Sequence, residues 1–309
     1  MINVNGFICQ QGQKLLENNR HAMLCAVLLA IFPYTTWLSL TVIALVTLRK
    51  GWRDGALLLM PVMTAFLVCS VATAVPTLLA ITNTLVTFIP CYFAACVLGM
   101  TTSWRAVAGV FFLLLLICAI LFQIFMPEFI TAQYQYLYAA ISELRPDALP
   151  KVMVSLNGSN QLILANYLFG LQLANLFISA ILPLTLARSI QSQLYYPGGY
   201  QQEMHSLRGN KVGVLILLLI LVAASQGNLI AINVLPLLVV YFLSAGLSLS
   251  FYAFAGKKIR GASLILVIPL VLLPFVMLPV YVILGSLDSL FNLRFYLPSI
   301  AGKATDIRG

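Results

Sequence analysis

Long apolar runs alternate with short polar intervals along the whole chain. The runs lie at about 22–48, 55–75, 77–100, 106–126, 161–187, 212–226, 229–255 and 263–284. A helix needs roughly 20 apolar residues to cross the ~30 Å hydrocarbon layer. The runs lack the period-two alternation of half-buried strands and are too long for buried ones. The pattern therefore predicts an all-α, polytopic integral membrane helical bundle of about eight transmembrane segments. It reads as a single membrane domain, 1–309, with a polar N-terminal tail (1–21), an external amphipathic segment (127–160), a cytosolic loop (188–211) and a C-terminal tail (285–309). No tandem repeat or second soluble domain emerges.

Two runs carry break signals. Pro33 interrupts the first, so 22–48 reads either as one crossing or as a re-entrant hairpin. Pro269, Pro274 and Pro279 predict a kink or break in the last. The run 212–226 is short, and its clean apolar part, Val212 to Ala224, rises only about 20 Å. In the external segment, Ile130, Tyr134, Leu137, Ile141 and Leu144 recur every three or four residues, which predicts an amphipathic helix. Tyr136 and Tyr138 suit an interfacial anchor, and Pro146 and Pro150 end the helix.

Composition narrows the class. The 309 residues are 61% hydrophobic and 8% charged, against roughly 25% charged in soluble domains. A water-facing surface cannot be built from so few charges. Residues Met1 to Arg20 hold no apolar core of a cleavable signal, so the run from Ala22 is expected to stay as a mature helix. The net charge of +9 is concentrated in alternate loops. Loops 49–54, 101–105, 188–211 and 256–261 carry +2, +1, +2 and +3, whereas the intervening loops total −1 and each tail +1. That asymmetry places the four basic loops in the cytosol. It explains the positive charge without nucleic acid. Trp52 and Trp104 lie beside these loops, as interfacial anchors do.

The six cysteines form no Cys-x-x-Cys pair, and there are only two histidines. Metal-ligand spacing is absent, and no cofactor or catalytic set is expected. The informative residues are polar ones within apolar runs, where an unpaired polar group is costly. Gln161, Ala165, Leu168, Gln172, Asn175 and Ser179 share one helical line, and Asn166 points elsewhere. Asn83, Gln123, Asn160, Gln161, Gln226, Asn228 and Asn233 fall near the outward helix ends and predict an outward-facing polar cavity. Gln172 and Asn175 extend that candidate ligand-binding set. The competing reading is interhelical hydrogen bonding that only holds helices together. The middles of the runs lack Asp, Glu, Lys and Arg, which favours a neutral or weakly polar ligand over ion coupling. Small residues recur every four positions at Ala22, Ala26 and Ala30, at Cys91, Ala95 and Gly99, and at Ala65, Cys69 and Thr73. Such ladders permit close helix approach.

The most specific motif is Leu-Ala-Arg-x-x-Gln-x-x-Leu-Tyr-x-Pro-Gly-Gly-x-x-x-Glu-x-His-x-Leu-Arg, from Leu186 to Arg208. It resembles the proteobacterial branch of the YybS-like family of predicted membrane proteins. Leu45 to Gly55 resembles that family's first cytosolic turn, Ser103 to Arg105 its second, and Leu284 to Arg294 its closing pattern. The family is distantly similar to the substrate-binding S components of energy-coupling-factor transporters. That resemblance implies a small molecule bound near the outer face, and docking on a membrane partner through small residues of the first helix. Ala22, Ala26 and Ala30 match the docking pattern, although this chain has about eight segments and those have six.

Within the motif, Pro197-Gly198-Gly199 predicts a turn, and Tyr195, Tyr196 and Tyr200 suit the headgroup region. Three readings stay open. Glu203 pairs with a neighbouring arginine in a structural hairpin; or the loop docks a partner protein; or Arg188, His205, Arg208 and Lys211 gather an anionic headgroup. Catalysis by His205 and Glu203 lacks a nucleophile, a metal set or a second carboxylate. Asp288 and Arg294 pair with each other or cap the last helix. The sequence thus predicts a non-enzymatic, transporter-type protein of the bacterial inner membrane, binding a solute and coupling to a membrane or cytosolic partner. Its alternatives are a membrane scaffold acting through the Pro-Gly-Gly loop and a lipid transporter.

Overall fold

A computed structural model describes residues 4–32, 34–73, 75–144, 158–255 and 262–296. Among these residues the structure is all-helical, with thirteen α-helices, a short 3-10 turn and no strand. Six helices are long and apolar enough to cross a membrane. They are α4 (Trp52–Ala72), α5 (Thr77–Thr101), α6 (Trp104–Phe125), α8 (Gly158–Tyr195), α11 (Leu229–Ala255) and α13 (Pro274–Phe291).

The other apolar runs resolve into shorter pieces. Run 22–48 is two helices, α2 (Asn19–Ile31) and α3 (Thr36–Lys50), each about 20–22 Å long. The chain leaves the helix at Phe32, which is extended, and Tyr34 has φ +67°. The Thr35 hydroxyl donates to the carbonyls of Leu29 and Phe32 and so satisfies the freed end of α2. Lys50 Nζ, at the end of α3, donates to Asn19 Oδ1, at the start of α2. The two distal ends therefore meet, and α2–α3 is a helical hairpin. Run 212–226 is the 15-residue α10 (Lys211–Ser225). The last run breaks at Leu273, between α12 (Ala262–Leu272) and α13, where Pro274 starts the new helix.

The chain divides into two compact units. Unit 1 comprises Met1–Phe111 and Leu176–Met204. Its centre is α3, in which every residue from Ser39 to Thr47 is buried. α2, α4 and α5 surround α3, and α2 and α5 both pack on α4. A helix buried all round must satisfy its own hydroxyls. Ser39 donates to the Ala26 carbonyl at 2.8 Å, and Thr47 to Ile43 at 2.7 Å. A Cβ on Gly55 would fall 2.1 Å from Thr47 Oγ1, so α3 and α4 touch there without a side chain between them. The N-terminal stretch, expected as a polar tail, is helical: α1 (Val4–Glu17) sets Gly12 against Ile190 and Leu194 of α8.

Unit 2 comprises Phe112–Asn175 and His205–Gly309. α11 packs on α10, α12 and α13. At the crossing of α11 and α13 two glycines face each other. A Cβ on Gly246 would lie 1.9 Å from the Tyr281 carbonyl oxygen, and one on Gly285 2.2 Å from that of Phe242. The amphipathic helix expected after residue 127 is α7 (Pro127–Leu144), with Ile130 and Tyr134 buried and Leu137 exposed.

Candidate ligand-binding site

Unit 2 contains a group of buried polar atoms with no hydrogen-bond partner in the protein. They are Oε1 of Gln123 and of Gln133, the Tyr134 hydroxyl, Oδ1 of Asn166, and both amide atoms of Asn233. Asn233 is 1% exposed and Asn166 2%. A buried amide without a partner costs about 1–3 kcal/mol, so several together in one unit require an explanation.

Packing links them. Asn166 lies one turn before Gly170 on the same face of α8. A Cβ on Gly170 would sit 2.1 Å from the carbonyl oxygen of Asn233, so α8 and α11 touch at this seam. Phe169, next to Gly170, lies 5.6 Å from the ring of Phe122, next to Gln123. Phe122 in turn lies 5.3 Å from Phe129, one turn before Gln133 on α7. Three rings thus bridge α6, α7 and α8, and the Gly170 contact joins α8 to α11. The Asn166 amide nitrogen donates to the Leu162 carbonyl at 2.8 Å, which fixes the amide with its oxygen unpaired. Phe129 also borders a surface depression of about 530 Å³ at the α6–α7 turn, which Phe125, Glu128 and Ala132 help to line.

The expected ligand residues divide. Gln123 and Asn233 belong to this group. Asn83, Asn160, Gln161, Gln172 and Asn175 are exposed on the chain's surface instead. Gln172 and Asn175 therefore face away from the core of unit 2, and the buried amide of α8 is Asn166. Gln226 and Asn228 are exposed in the α10–α11 turn, where Asn228 Oδ1 caps α11 by accepting from the Ala231 amide at 3.1 Å. Gln133, Tyr134 and Asn166 were not expected. In the sequence Tyr134 falls on an apolar stripe and Asn166 off the polar line.

The Leu186–Lys211 motif is mostly helical. α8 continues to Tyr195, Pro197 and Gly198 turn, and α9 (Gly199–Ser206) folds back. Gly198 has φ +89°, which strains any side chain. The Tyr200 amide donates to Ser192 Oγ at 2.9 Å, closing the turn. Glu203 anchors the hairpin within unit 1. Arg188 Nη2 and Nε reach its two carboxylate oxygens at 2.5 and 3.0 Å, and Trp104 Nε1 donates to Oε2 at 3.1 Å. Arg188 also donates to Gln191, which donates to the Leu48 carbonyl. Burial, and then the charge of Glu203, hold the Tyr200 phenol above its usual range, against a hydrogen bond with Thr185 that lowers it. The described part of His205 is its backbone alone.

Arg208 is bound elsewhere, in unit 2. It donates to the carbonyls of Asp288 and Ser289 at 2.8 and 3.1 Å, in the last turn of α13. Arg294 Nε pairs with Asp288 Oδ2 at 2.9 Å, and Asp288 is fully buried with Oδ1 unpartnered. Arg294 also donates to the Leu207 carbonyl. Ala22, Ala26 and Ala30, the expected partner-docking ladder, are at most 3% exposed within unit 1. The ladder seats α2 inside its own chain, and the face left outside carries Leu24, Leu28 and Phe32. Comparison with known families, with curated proteins and with solved structures finds no match.

Proposed function

We propose that this is a multi-pass protein of the bacterial inner membrane, of transporter type, that binds a small polar solute in unit 2. The observation that carries the reading is Asn233: both atoms of its amide are buried and unpartnered in a strongly apolar unit. Glue residues pair with each other, and this one does not. The six span-length helices and the one-sided positive charge support the membrane setting. The remote resemblance to S components supports the transporter class. In this reading the α2–α3 hairpin is re-entrant, since each helix is shorter than the ~30 Å layer and both distal ends return to one side. The basic loops, the α8–α9 hairpin and the N-terminus then share the cytosolic side.

Thermal unfolding of the detergent-purified protein tests the reading. One member of a panel of small polar solutes, lipids and metal ions raises the melting temperature in a saturable way. A flat response across the panel counts against solute binding.

The α8–α9 hairpin favours a second reading, a scaffold that acts through the loop. Its tip residue Tyr196 is 66% exposed, while Glu203 and Ser192 hold the turn in one shape. Under that reading Gly198→Val abolishes partner pull-down and solute effects are absent.

A further inference from the structure

Apart from Asp288 Oδ1, which belongs to the ion pair with Arg294 at the end of α13, the unpartnered atoms of unit 2 have a chemical bias. Four are carbonyl oxygens, on Gln123, Gln133, Asn166 and Asn233; the rest are the Asn233 amide nitrogen and the Tyr134 hydroxyl. Such a lining accepts more hydrogen bonds than it donates. Its residues include no carboxylate or guanidinium. A cation there would be desolvated without a counter-charge, which a low-dielectric site penalises heavily. The adjoining rings of Phe122 and Phe129 offer flat apolar surface. A ligand that satisfies all of this is uncharged, bears several N–H donors and has a planar body.

We propose that Gln123, Gln133, Tyr134, Asn166 and Asn233 form one binding site for a small, uncharged, planar solute rich in N–H donors, such as a lactam or amino-substituted heterocycle. Access is from the depression at the α6–α7 turn, past the half-exposed ring of Phe129. The proposal rests on the solute-binding reading and adds the place and the chemical class.

The test uses the full chain, purified from native membranes in detergent, denatured, and its released small molecules identified by mass spectrometry. Asn233→Leu and Asn166→Leu are treated alongside, with Tyr134→Phe as the milder variant if either leucine protein does not fold. Wild type is expected to release an uncharged compound with at least two N–H groups, near one per chain. The variants retain it at least tenfold less. Added back to stripped wild type, the released compound raises the melting temperature, and its N-methylated derivative does not. A compound held equally by the variants lies elsewhere; that overturns the site and leaves solute binding standing. A charged compound, or an N-methylated derivative that binds as well, overturns the class. No compound from wild type overturns both. Stripped Asn233→Leu protein is expected to melt no lower than stripped wild type, since it loses a wholly unpaired polar group. A lower melting point for it identifies the amide as internal glue and overturns the site.

Discussion

Single side chains in this protein show how an apolar setting raises the cost of unmatched polarity. Asp288 is fully buried, and its charge is compensated by Arg294, which is itself mostly buried. Burial lowers the Arg294 pKa, and the neighbouring Asp288 raises it back in part. Removing one partner leaves an uncompensated buried charge. Arg294→Leu is expected to destabilise unit 2 by about 3–5 kcal/mol, and Asp288→Leu added to it to recover most of the loss. Thermal unfolding in detergent measures both; a double variant no better than the single would show that the carboxylate is not the cause. Glu203 gives a graded version. Trp104→Phe removes one hydrogen bond to it and is expected to cost about 1 kcal/mol. Glu203→Gln removes the counter-ion of Arg188 and is expected to cost more, with the unfolding midpoint ordering the two.

At the scale of elements, glycine decides where helices cross. Gly246 and Gly285 admit backbone carbonyls closer than any Cβ allows. Gly285→Ala is expected to force α11 and α13 apart and lower the melting temperature by several degrees, whereas Gly99→Ala, with open space around it, leaves it unchanged or slightly higher. Equal effects from the two would refute the crossing. The helical character and five of the eight runs were legible because apolar length is a strong signal. Run 22–48 leaves two readings open in the sequence, since length favours one crossing and Pro33 a hairpin; the Asn19–Lys50 contact shows that the two helices fold back on each other. The Leu186–Lys211 interval read as loop because its residues are polar, yet polar residues continue α8 for two more turns. Within the site, spacing grouped Gln172 with Asn175 correctly but could not say which face a neighbour covers. Gly170, one turn from Asn166, was the available clue: a small residue beside a polar one marks a seam.

For the whole molecule, the α2–α3 hairpin changes the parity of the chain. If both of its ends lie on one side, Arg20→Cys and Arg53→Cys, each in a background with the native cysteines replaced, react with an impermeant maleimide from the same side of sealed vesicles. The expected side is the cytosolic one, from the charge of loop 49–54. Labelling from opposite sides would restore a single crossing over 22–48. The hairpin also places the 15-residue α3, with its buried hydroxyls, at the centre of unit 1.

The glycine contacts have a further consequence, for sequence variation. Side chains such as Leu57, Met60 and Leu219 face outward and are exposed, so any apolar residue serves there. Gly170, Gly246 and Gly285 each stand where a methyl group would meet a carbonyl oxygen near 2 Å. A distant chain with this architecture is free to change nearly all of its apolar surface, but not these three positions. Their spacing, 76 and then 39 residues apart in this chain, with an amide one turn before the first, is a fingerprint that overall identity would miss.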